Sequence, residues 1–174
     1  MAEILLDTAA KVSRDLGVEL QLVMPAANQS RYDQLKTILD ARSDRVTLLK
    51  QQSHQAMEAA DAVLLTSGTT ALEAMLLKKP MVVGYRMNPL SFKLLFPLIK
   101  TPYVSLPNLL ANKALVAELI QDKATVENLS AEVVNLFKAN SSVLVEQFGE
   151  LHQQLSLESA TLATKAISQL VAGK

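Results

Sequence analysis

The sequence contains no cysteine, and its two histidines, His54 and His152, stand far apart. These absences argue against thiol catalysis, disulfide bonds and a histidine-rich metal site. We interpret each histidine as a polar residue on a helix. An excess of one charge is also missing, because 17 basic and 17 acidic side chains give a formal net charge of zero. Since no basic run stands out either, nucleic acid is a poor candidate partner.

Long apolar runs are absent as well. Even the run Leu94–Ile99 has only six residues and contains Pro97, whereas a membrane-spanning helix needs about 20 apolar residues. The N-terminus shows no basic lead followed by an apolar core and a cleavage site. We therefore expect a cytoplasmic protein without a transmembrane segment.

What the chain does contain is apolar side chains in a regular alternation. With 49% hydrophobic and 20% charged residues, its 174 residues suffice for one folded domain with a core. The periodicity predicts helices over 3–16, 31–42, 54–60 and 71–77, and buried strands over 20–24, 46–49, 62–65 and 81–85. This order is typical of an α/β fold with a Rossmann-like, doubly wound parallel sheet. Because the chain opens on a helix, the first strand of that sheet and the turn after it are expected to be missing.

The stretch Asp61–Arg86 joins two of these strands through a glycine turn. One apolar run ends at Leu65, the polar turn Thr66–Thr70 follows, and a helix leads to a second apolar run from Met81. Strand, turn, helix and strand make a right-handed βαβ unit. Because ligands of open parallel sheets bind outside the carboxyl ends of the strands, this turn is the candidate binding site.

The turn has two interpretations. The first amides of a helix have no intrahelical partner and lie at its positive end, so this helix start can hold a phosphate. Gly68 would let the ligand approach the backbone, and Glu73 could accept hydrogen bonds from a sugar diol. Further donors would be the hydroxyls of Ser67, Thr69 and Thr70. Alternatively, Thr70 and Glu73 form a capping box that binds nothing, which the residues alone favour because a single glycine is a weak signal.

The remainder of the chain is predicted to be mostly helical. Asn88-Pro89 starts a helix that must bend or end at Pro97, and residues 100–110 form a short strand and a loop pinned by two prolines. Helices are then expected over 113–121, 126–137, 144–155 and 163–170, so that 112–174 form the helical tail of a single domain, residues 1–174. The apolar stretch 87–110 packs internally or, less ordinarily, rests on a lipid surface or a partner.

Four blocks carry a resemblance to a known family. They are the Ser-Gly-Thr turn Ser67–Thr69, the helix residue Glu73, the strand end Val83–Arg86, and the segment Tyr103–Ala111. Together they resemble the donor-binding half of the lipid-A-disaccharide synthase family, which are inverting glycosyltransferases of the two-domain GT-B architecture. The resemblance implies a GT-B C-terminal domain without its first strand, and it favours a ligand site over the plain capping box.

The resemblance also implies roles for individual residues. A UDP-sugar donor would place its diphosphate on the turn Ser67–Thr69 and its ribose on Glu73. Asn108 matches a polar residue of the family's site, in what we expect to be a Pro-Asn loop. Arg86 is a candidate for charge complementarity to the nucleotide, although a structural ion pair explains it about as well. No metal or other cofactor is implied.

The reaction of the family joins UDP-2,3-diacylglucosamine to 2,3-diacylglucosamine 1-phosphate, with release of UDP, in lipid A biosynthesis. Its lipid acceptor implies peripheral contact with the cytoplasmic face of the inner membrane. The acceptor-binding half, which is expected to hold the activating base, has no counterpart in these 174 residues, nor has the opening Gly-Ser-Arg turn with its phosphate-binding arginine. We therefore predict UDP binding at most, and no transferase turnover by the chain alone.

Two other functions compete with this hypothesis. In the first, the chain is a non-catalytic module that self-associates or binds a partner. Without the other half, the helical tail would then expose the apolar side chains of Leu144, Phe148, Leu151 and Leu155. In the second, the chain is another UDP-sugar enzyme of GT-B type, such as an epimerase, which the Pro-Asn block does not suggest.

Overall fold

The computed structural model describes residues 1–66, 68–88, 92 and 101–172, apart from the side chains of 157–161, 170 and 172. The strands of this part are β1 (Leu22–Ala26), β2 (Val46–Lys50), β3 (Val63–Leu65), β4 (Met81–Tyr85) and β5 (Ala117–Ile120). Its α-helices are α1 (Ala2–Leu16), α2 (Gln29–Asp40), α3 (Ser53–Ala59), α4 (Thr69–Leu76), α5 (Leu106–Ala111), α6 (Val126–Lys138) and α7 (Ser142–Ala172). A short 3₁₀ turn, Gln121–Lys123, follows β5.

All strand pairs are parallel, which confirms the predicted α/β class. Residue Val63 pairs with Met81, and Val82 pairs with Ala117, so β4 is the middle strand of a sheet with the order β3-β4-β5. The strands β1 and β2 pair only with each other and form a second sheet. The alternation of helices and strands in the sequence suggests one continuous sheet. In the described residues there are instead two sheets, because β1 does not pair with β3.

Helices cover both faces of the three-stranded sheet. On one face, Leu65, Met81 and Val83 pack with buried side chains of α3, α4 and α7. On the other face, Leu64 and Val82 pack with residues of α1 and α6. Because neighbouring residues of a strand point to opposite faces, β3 and β4 contribute to both cores. The result is a helix–sheet–helix sandwich, as expected for a doubly wound fold.

The glycine of the Val83–Arg86 block has a packing reason. At Gly84, a Cβ atom would lie 2.7 Å from Cδ2 of Leu129, so any side chain there would force the buried Leu129 side chain to move. The close approach of α6 to β4 buries Leu129 and Val82 completely. The residue type at this position is thus fixed by packing and needs no ligand to explain it.

Two predictions for the second half of the chain are wrong. A helix was expected over 113–121, but the apolar residues there pair with β4 as the strand β5, so the segment 112–174 is not purely helical. Within 101–110, the expected strand and loop are replaced by α5, which accommodates Pro107 in its first turn, where a missing backbone N–H costs little. From Val126 onwards the predicted helices are present, the last two as the single helix α7.

The expectation that the tail exposes its apolar stripe is also wrong. Phe148 and Leu151 are buried in the core with α4, and Leu144 and Leu155 pack against the same cluster. The reason is that α4 and α5 offer α7 a surface within this chain.

The predicted helix from Asn88 through Pro97 lies mostly outside the described residues. Among those described, no helix is both long and apolar enough to cross a membrane.

Candidate functional site

The candidate site lies at one edge of the three-stranded sheet. Because β3, β4 and β5 are parallel, their carboxyl ends at Leu65, Tyr85 and Ile120 meet at the same edge, which we call the carboxyl edge. The turn before α4 follows the first of these ends, and Arg86 and Gln121 follow the other two. Of the predicted site residues, the topology thus brings Gly68, Thr69 and Arg86 to the same edge of the sheet.

The turn before α4 does not form the capping box. Helix α4 begins at Thr69, its N-cap is Gly68, and no side chain of the described residues makes a cap hydrogen bond. Thr70 is therefore already the second helical residue, so its hydroxyl is not at the capping position. Gly68 has φ 132° and ψ −158°, a conformation that is essentially restricted to glycine. Ser67 lies outside the described residues.

The start of α4 is open to solvent. Gly68, Thr69, Thr70 and Glu73 are all exposed. The amides of the first helical turn have no intrahelical acceptor, and the helix dipole adds partial positive charge at this end. Glu73 lies one turn further along the helix, and its side chain accepts no hydrogen bond that the described residues display. The start of α4 therefore offers backbone N–H donors to a ligand, and the Glu73 carboxylate offers an acceptor one helical turn further along.

Arg86 is held against β5 by a hydrogen bond instead of an ion pair. Its Nε donates to the carbonyl oxygen of Gln121 at 3.1 Å, and among the described residues no carboxylate lies within salt-bridge distance of its guanidinium. The Gln121 side chain in turn accepts from the Met87 amide at 2.7 Å and donates to the Met87 carbonyl at 3.2 Å. Gln121 thereby fixes the backbone just after β4.

Gln121 makes these contacts from an unusual backbone conformation. Its φ is 52°, in the left-handed region that residues other than glycine rarely adopt. The turn lets the carbonyl and the side chain of one residue both reach the segment after β4. Sequence reasoning missed Gln121, because the prediction of a helix over 113–121 hid the strand end on which it lies.

Asn108 lies in α5, not in a loop, and only 1% of it is exposed. Its Nδ2 donates to the Val116 carbonyl at 2.9 Å and to Oε1 of Glu118 at 2.8 Å. Its Oδ1 accepts from the amides of Leu115 at 2.8 Å and Val116 at 2.9 Å. An asparagine side chain has two N–H donors and one oxygen with two lone pairs, so its hydrogen-bonding capacity is used up within the protein. Asn108 is arranged to join α5 to β5, which leaves it no group for a ligand.

Glu118, on β5, completes this network and was not predicted. Its Oε2 accepts from the Val104 amide at 2.8 Å, and its Oε1 accepts from the amide and the hydroxyl of Ser105 at 2.8 and 2.5 Å. The carboxylate thus satisfies the backbone at the start of α5, where a negative charge is favourable. We call Ser105, Asn108 and Glu118 the Asn108 network. The available signal was a single charged residue inside the apolar run from Leu115 to Ile120.

Comparison with known proteins assigns the family. The family model described as lipid-A-disaccharide synthetase matches residues 1–168. A lipid-A-disaccharide synthase of Cellvibrio japonicus is 49% identical over 155 residues, which are 87% of this chain and 40% of the relative. One from Pseudomonas putida KT2440 is 45% identical over 98% of this chain and 45% of its own length. One from Aeromonas hydrophila is 48% identical over 88% of this chain and 41% of its own length.

These matches decide between the hypotheses. The chain spans about two-fifths of the length of the curated relatives that it matches, and nearly all of it is covered by the family model. A non-catalytic interaction module unrelated to the synthases is not favoured, and neither the relatives nor the family model suggests an epimerase. On the family model and these identities, the chain belongs to the lipid-A-disaccharide synthase family.

Proposed function

We propose that this chain forms the nucleotide-binding part of a glycosyltransferase site and that its ligand is the UDP portion of a UDP sugar. The observation that carries the proposal is the exposed start of α4 at the carboxyl edge, where no side chain among the described residues caps the helix. In the families of doubly wound folds that bind nucleotides, phosphates lie at such a helix start. The absence of a side-chain cap leaves these amides available to a ligand.

Each group of the turn has a role in this proposal. The amides at the start of α4 and the hydroxyl of Thr69 bind the diphosphate, with Ser67 and Gly68 completing the turn around it. The exposed carboxylate of Glu73 accepts hydrogen bonds from the ribose diol. Arg86, oriented by the carbonyl of Gln121, supplies positive charge near the nucleotide. Asn108 acts indirectly, as a positioning residue that holds α5 on β5.

The reaction of the whole protein is also a proposal. It joins UDP-2,3-diacylglucosamine to 2,3-diacylglucosamine 1-phosphate and releases UDP. Displacement at the anomeric carbon requires a base on the acceptor hydroxyl and stabilisation of charge on the leaving diphosphate. The groups assembled at the carboxyl edge serve only the second requirement. We therefore expect the chain alone to bind UDP without catalysing the transfer. Product above a no-enzyme control, in an assay with both substrates, would contradict this expectation.

Calorimetric titration with UDP tests the binding proposal. The chain should give saturable heat with one site, and Glu73→Ala should weaken the affinity by roughly tenfold or more, as expected for loss of hydrogen bonds worth about 1–3 kcal/mol. The matched control is Glu150→Ala, which removes an exposed carboxylate from α7, away from the carboxyl edge. No heat from the folded chain, or equal weakening by both variants, would refute the proposed ribose contact.

We also propose that the chain self-associates through the far end of α7. Leu162, Ile167 and Val171 are 61–72% exposed there, and Ile167 and Val171 lie one turn apart on the same side of the helix. Apolar side chains that water would otherwise surround favour pairing with a second copy. Light scattering should report a mass above that of one chain, and Ile167→Gln with Val171→Gln should restore the monomer.

Peripheral membrane contact is proposed for the segment 89–100, on the strength of its apolar sequence with Lys93 and Lys100 interspersed. Co-sedimentation with vesicles that contain anionic lipid should retain the chain. Replacing both lysines with glutamine should reduce retention more than the same change at Lys11 and Lys36, which lie on α1 and α2. Equal retention by the two double variants would argue against this segment.

A further inference from the structure

Helix α4 ends in a turn where glycine is preferred, but the residue there is a lysine. The amide of Lys78 donates to the Met75 carbonyl at 2.9 Å, and the amide of Lys79 donates to the Ala74 carbonyl at 2.9 Å. These are the two bonds of a Schellman motif, in which the residue after the C-cap is left-handed and most often glycine. Lys78 is that residue, with φ 58°. Since this conformation is unfavourable for a lysine, its side-chain contacts must compensate.

The Lys78 side chain bridges α4 and α7. Its Nζ donates to the carbonyl oxygen of Leu76, the last residue of α4, at 2.8 Å. A cation is favourable at this end of a helix, where the carbonyl groups have no intrahelical donor. The same Nζ also contacts Nδ1 of His152 on α7. The ammonium group thus joins the last carbonyl of α4 to a histidine of the helix that packs against it.

His152 lies where the packed part of α7 ends. Phe148, one turn before it, is buried in the core with α4, and Leu151 and Leu155 belong to the same cluster. His152 itself is exposed, and so are residues 162–169 of this helix. The contact with Lys78 therefore lies at the boundary between the part of α7 that packs on the core and the part that water surrounds.

The contact requires one protonation state of His152. A lysine ammonium has three donors and no acceptor, so the nitrogen opposite it must be the acceptor of a neutral imidazole. Protonation of His152 would set an N–H donor and a second positive charge against Nζ of Lys78. Histidine is the side chain whose charge ordinarily changes between pH 5 and 8. The contact is therefore present at the upper end of that range and is lost as the pH falls.

No carboxylate compensates for a charge on His152 in the described part of the chain. The charged groups of the elements around it are Glu73, Lys78 and Lys79 on α4 and its C-terminal turn, Lys113 after α5, His54 and Glu58 on α3, and Glu150 on α7. Glu150, two residues away, lies on another side of α7, where it lines a groove with Lys113. Glu58 lies 4.0 Å from His54. None of these carboxylates is within salt-bridge distance of His152.

We propose that protonation of His152 releases α7 from the end of α4, so that the attachment of α7 depends on pH. At neutral pH, the contact holds α7 one turn beyond Phe148. At acidic pH, the two cations repel each other, and the turn of α7 around His152 opens. Because His152 is exposed, we expect a local opening of α7 and not global unfolding. The proposal concerns the attachment of α7 and does not depend on nucleotide binding.

Amide hydrogen exchange of the full chain tests the proposal. After correction for the intrinsic pH dependence of exchange, the amides of residues 152–156 should exchange roughly threefold or more faster near pH 5.5 than near pH 7.5. The amides of Val82 and Val83, buried in β4, should keep their protection, which shows that the core stays folded. Equal protection of residues 152–156 at both pH values in the folded chain would overturn the proposal.

Two pairs of variants assign the effect to this contact. His152→Gln keeps a neutral hydrogen-bonding side chain at every pH and should abolish the pH dependence. His54→Gln, which changes the other histidine of the chain, should leave it intact. Lys78→Met keeps a long side chain without its charge and should also abolish the pH dependence, whereas Lys79→Met should not. A pH dependence that survives in His152→Gln or Lys78→Met, or that disappears in either control, would contradict the proposal.

Discussion

Two polar regions beside the three-stranded sheet are built in opposite ways. In the Asn108 network, every hydrogen-bonding group of the central amide is paired inside the protein, and the residue is buried. At the turn before α4, Gly68, Thr69 and Glu73 are exposed, and no side chain in the described part of the chain caps the helix. Both regions belong to the blocks through which the sequence resembles its family, but they differ in where their hydrogen bonds go.

This difference distinguishes residues that stabilise the fold around the site from residues that are free to bind a ligand. A buried amide with four internal partners contributes to stability and has nothing left for a ligand. An exposed helix start contributes little to stability and keeps its amides available. Variants in the first region should therefore lower the free energy of unfolding, whereas side-chain variants in the second should lower ligand affinity. Gly68 is the exception in the second region, because its backbone conformation is itself constrained. The predictions below test this separation, in order of decreasing effect on stability.

Asn108→Ala should be the most destabilising of these changes. It leaves the buried amide of Val116 without an acceptor and removes the side-chain donor to the Val116 carbonyl and to Glu118. The Leu115 amide keeps only its bond to the Lys113 carbonyl. Each unsatisfied buried group costs about 1–3 kcal/mol. We expect urea denaturation to show a loss of roughly 3 kcal/mol or more in the free energy of unfolding. Asn135→Ala, at an exposed position of α6, is the control and should change it by less than about 0.5 kcal/mol. A loss below about 1 kcal/mol at Asn108 would contradict the assigned role.

Glu118→Gln should cost less, because the side chain keeps its size and one oxygen. The amide replaces a charged acceptor by a neutral one and sets an N–H donor against a donor of Val104 or Ser105. We expect a loss of about 2 kcal/mol in the free energy of unfolding, measured in the same way. The exposed Glu150→Gln on α7 should leave it unchanged. Equal stability of the two variants would show that the carboxylate is not needed by α5.

Gly68→Ala tests the conformation of the turn. Space is available, since nothing lies within 4 Å of an added Cβ, but φ 132° is unfavourable for any other residue. We expect a loss of about 1–2 kcal/mol, seen as a lower urea midpoint. Gly149→Ala in the interior of α7 also meets no atom, and it should instead stabilise the chain by about 0.5–1 kcal/mol. Effects of the same sign would show that the turn is not constrained.

Glu73→Ala should leave the free energy of unfolding within about 0.5 kcal/mol of the original value, because the side chain is exposed. Its effect should appear in UDP affinity alone. If the variant instead unfolds at a clearly lower urea concentration, the carboxylate supports the helix, and the contrast between the two regions fails.

Much of the fold could be predicted from the alternation of apolar runs. The strands up to Tyr85 and the helices between them were found because each has a period that the sequence displays. The strand β5 was missed because its residues, Ala117–Ile120, include a charged residue and follow a stretch of helix-forming types. This segment is a strand because it pairs with β4. Such a tertiary contact cannot be predicted from the local propensities of the residues.

The sequence predicted which residue types lie at the candidate site, but it did not predict their hydrogen-bond partners. The Ser-Gly-Thr turn and Arg86 were found from their place after the strands, and the structure brings Gly68, Thr69 and Arg86 to one edge. The roles of Asn108 and Glu118 depend on which backbone groups lie opposite them, and these groups belong to neighbouring segments 7–14 residues away, beyond the reach of a helical or strand period. Likewise, the capping box at Thr70 fitted the sequence pattern, but the helix begins at Thr69, two residues earlier than a cap at Thr70 requires.

The length of α7 has a mechanical consequence. Its first turns pack against α4 and α5 through Phe148 and Leu151. Residues 156–172 of the helix extend for about 25 Å beyond this packed part, at 1.5 Å per residue. A tilt of about 10° at the anchorage would swing the far end by about 4 Å over that length. The helix is thus a lever that converts a slight shift of α4, the helix at the candidate site, into a displacement that a pair of fluorescent labels can follow.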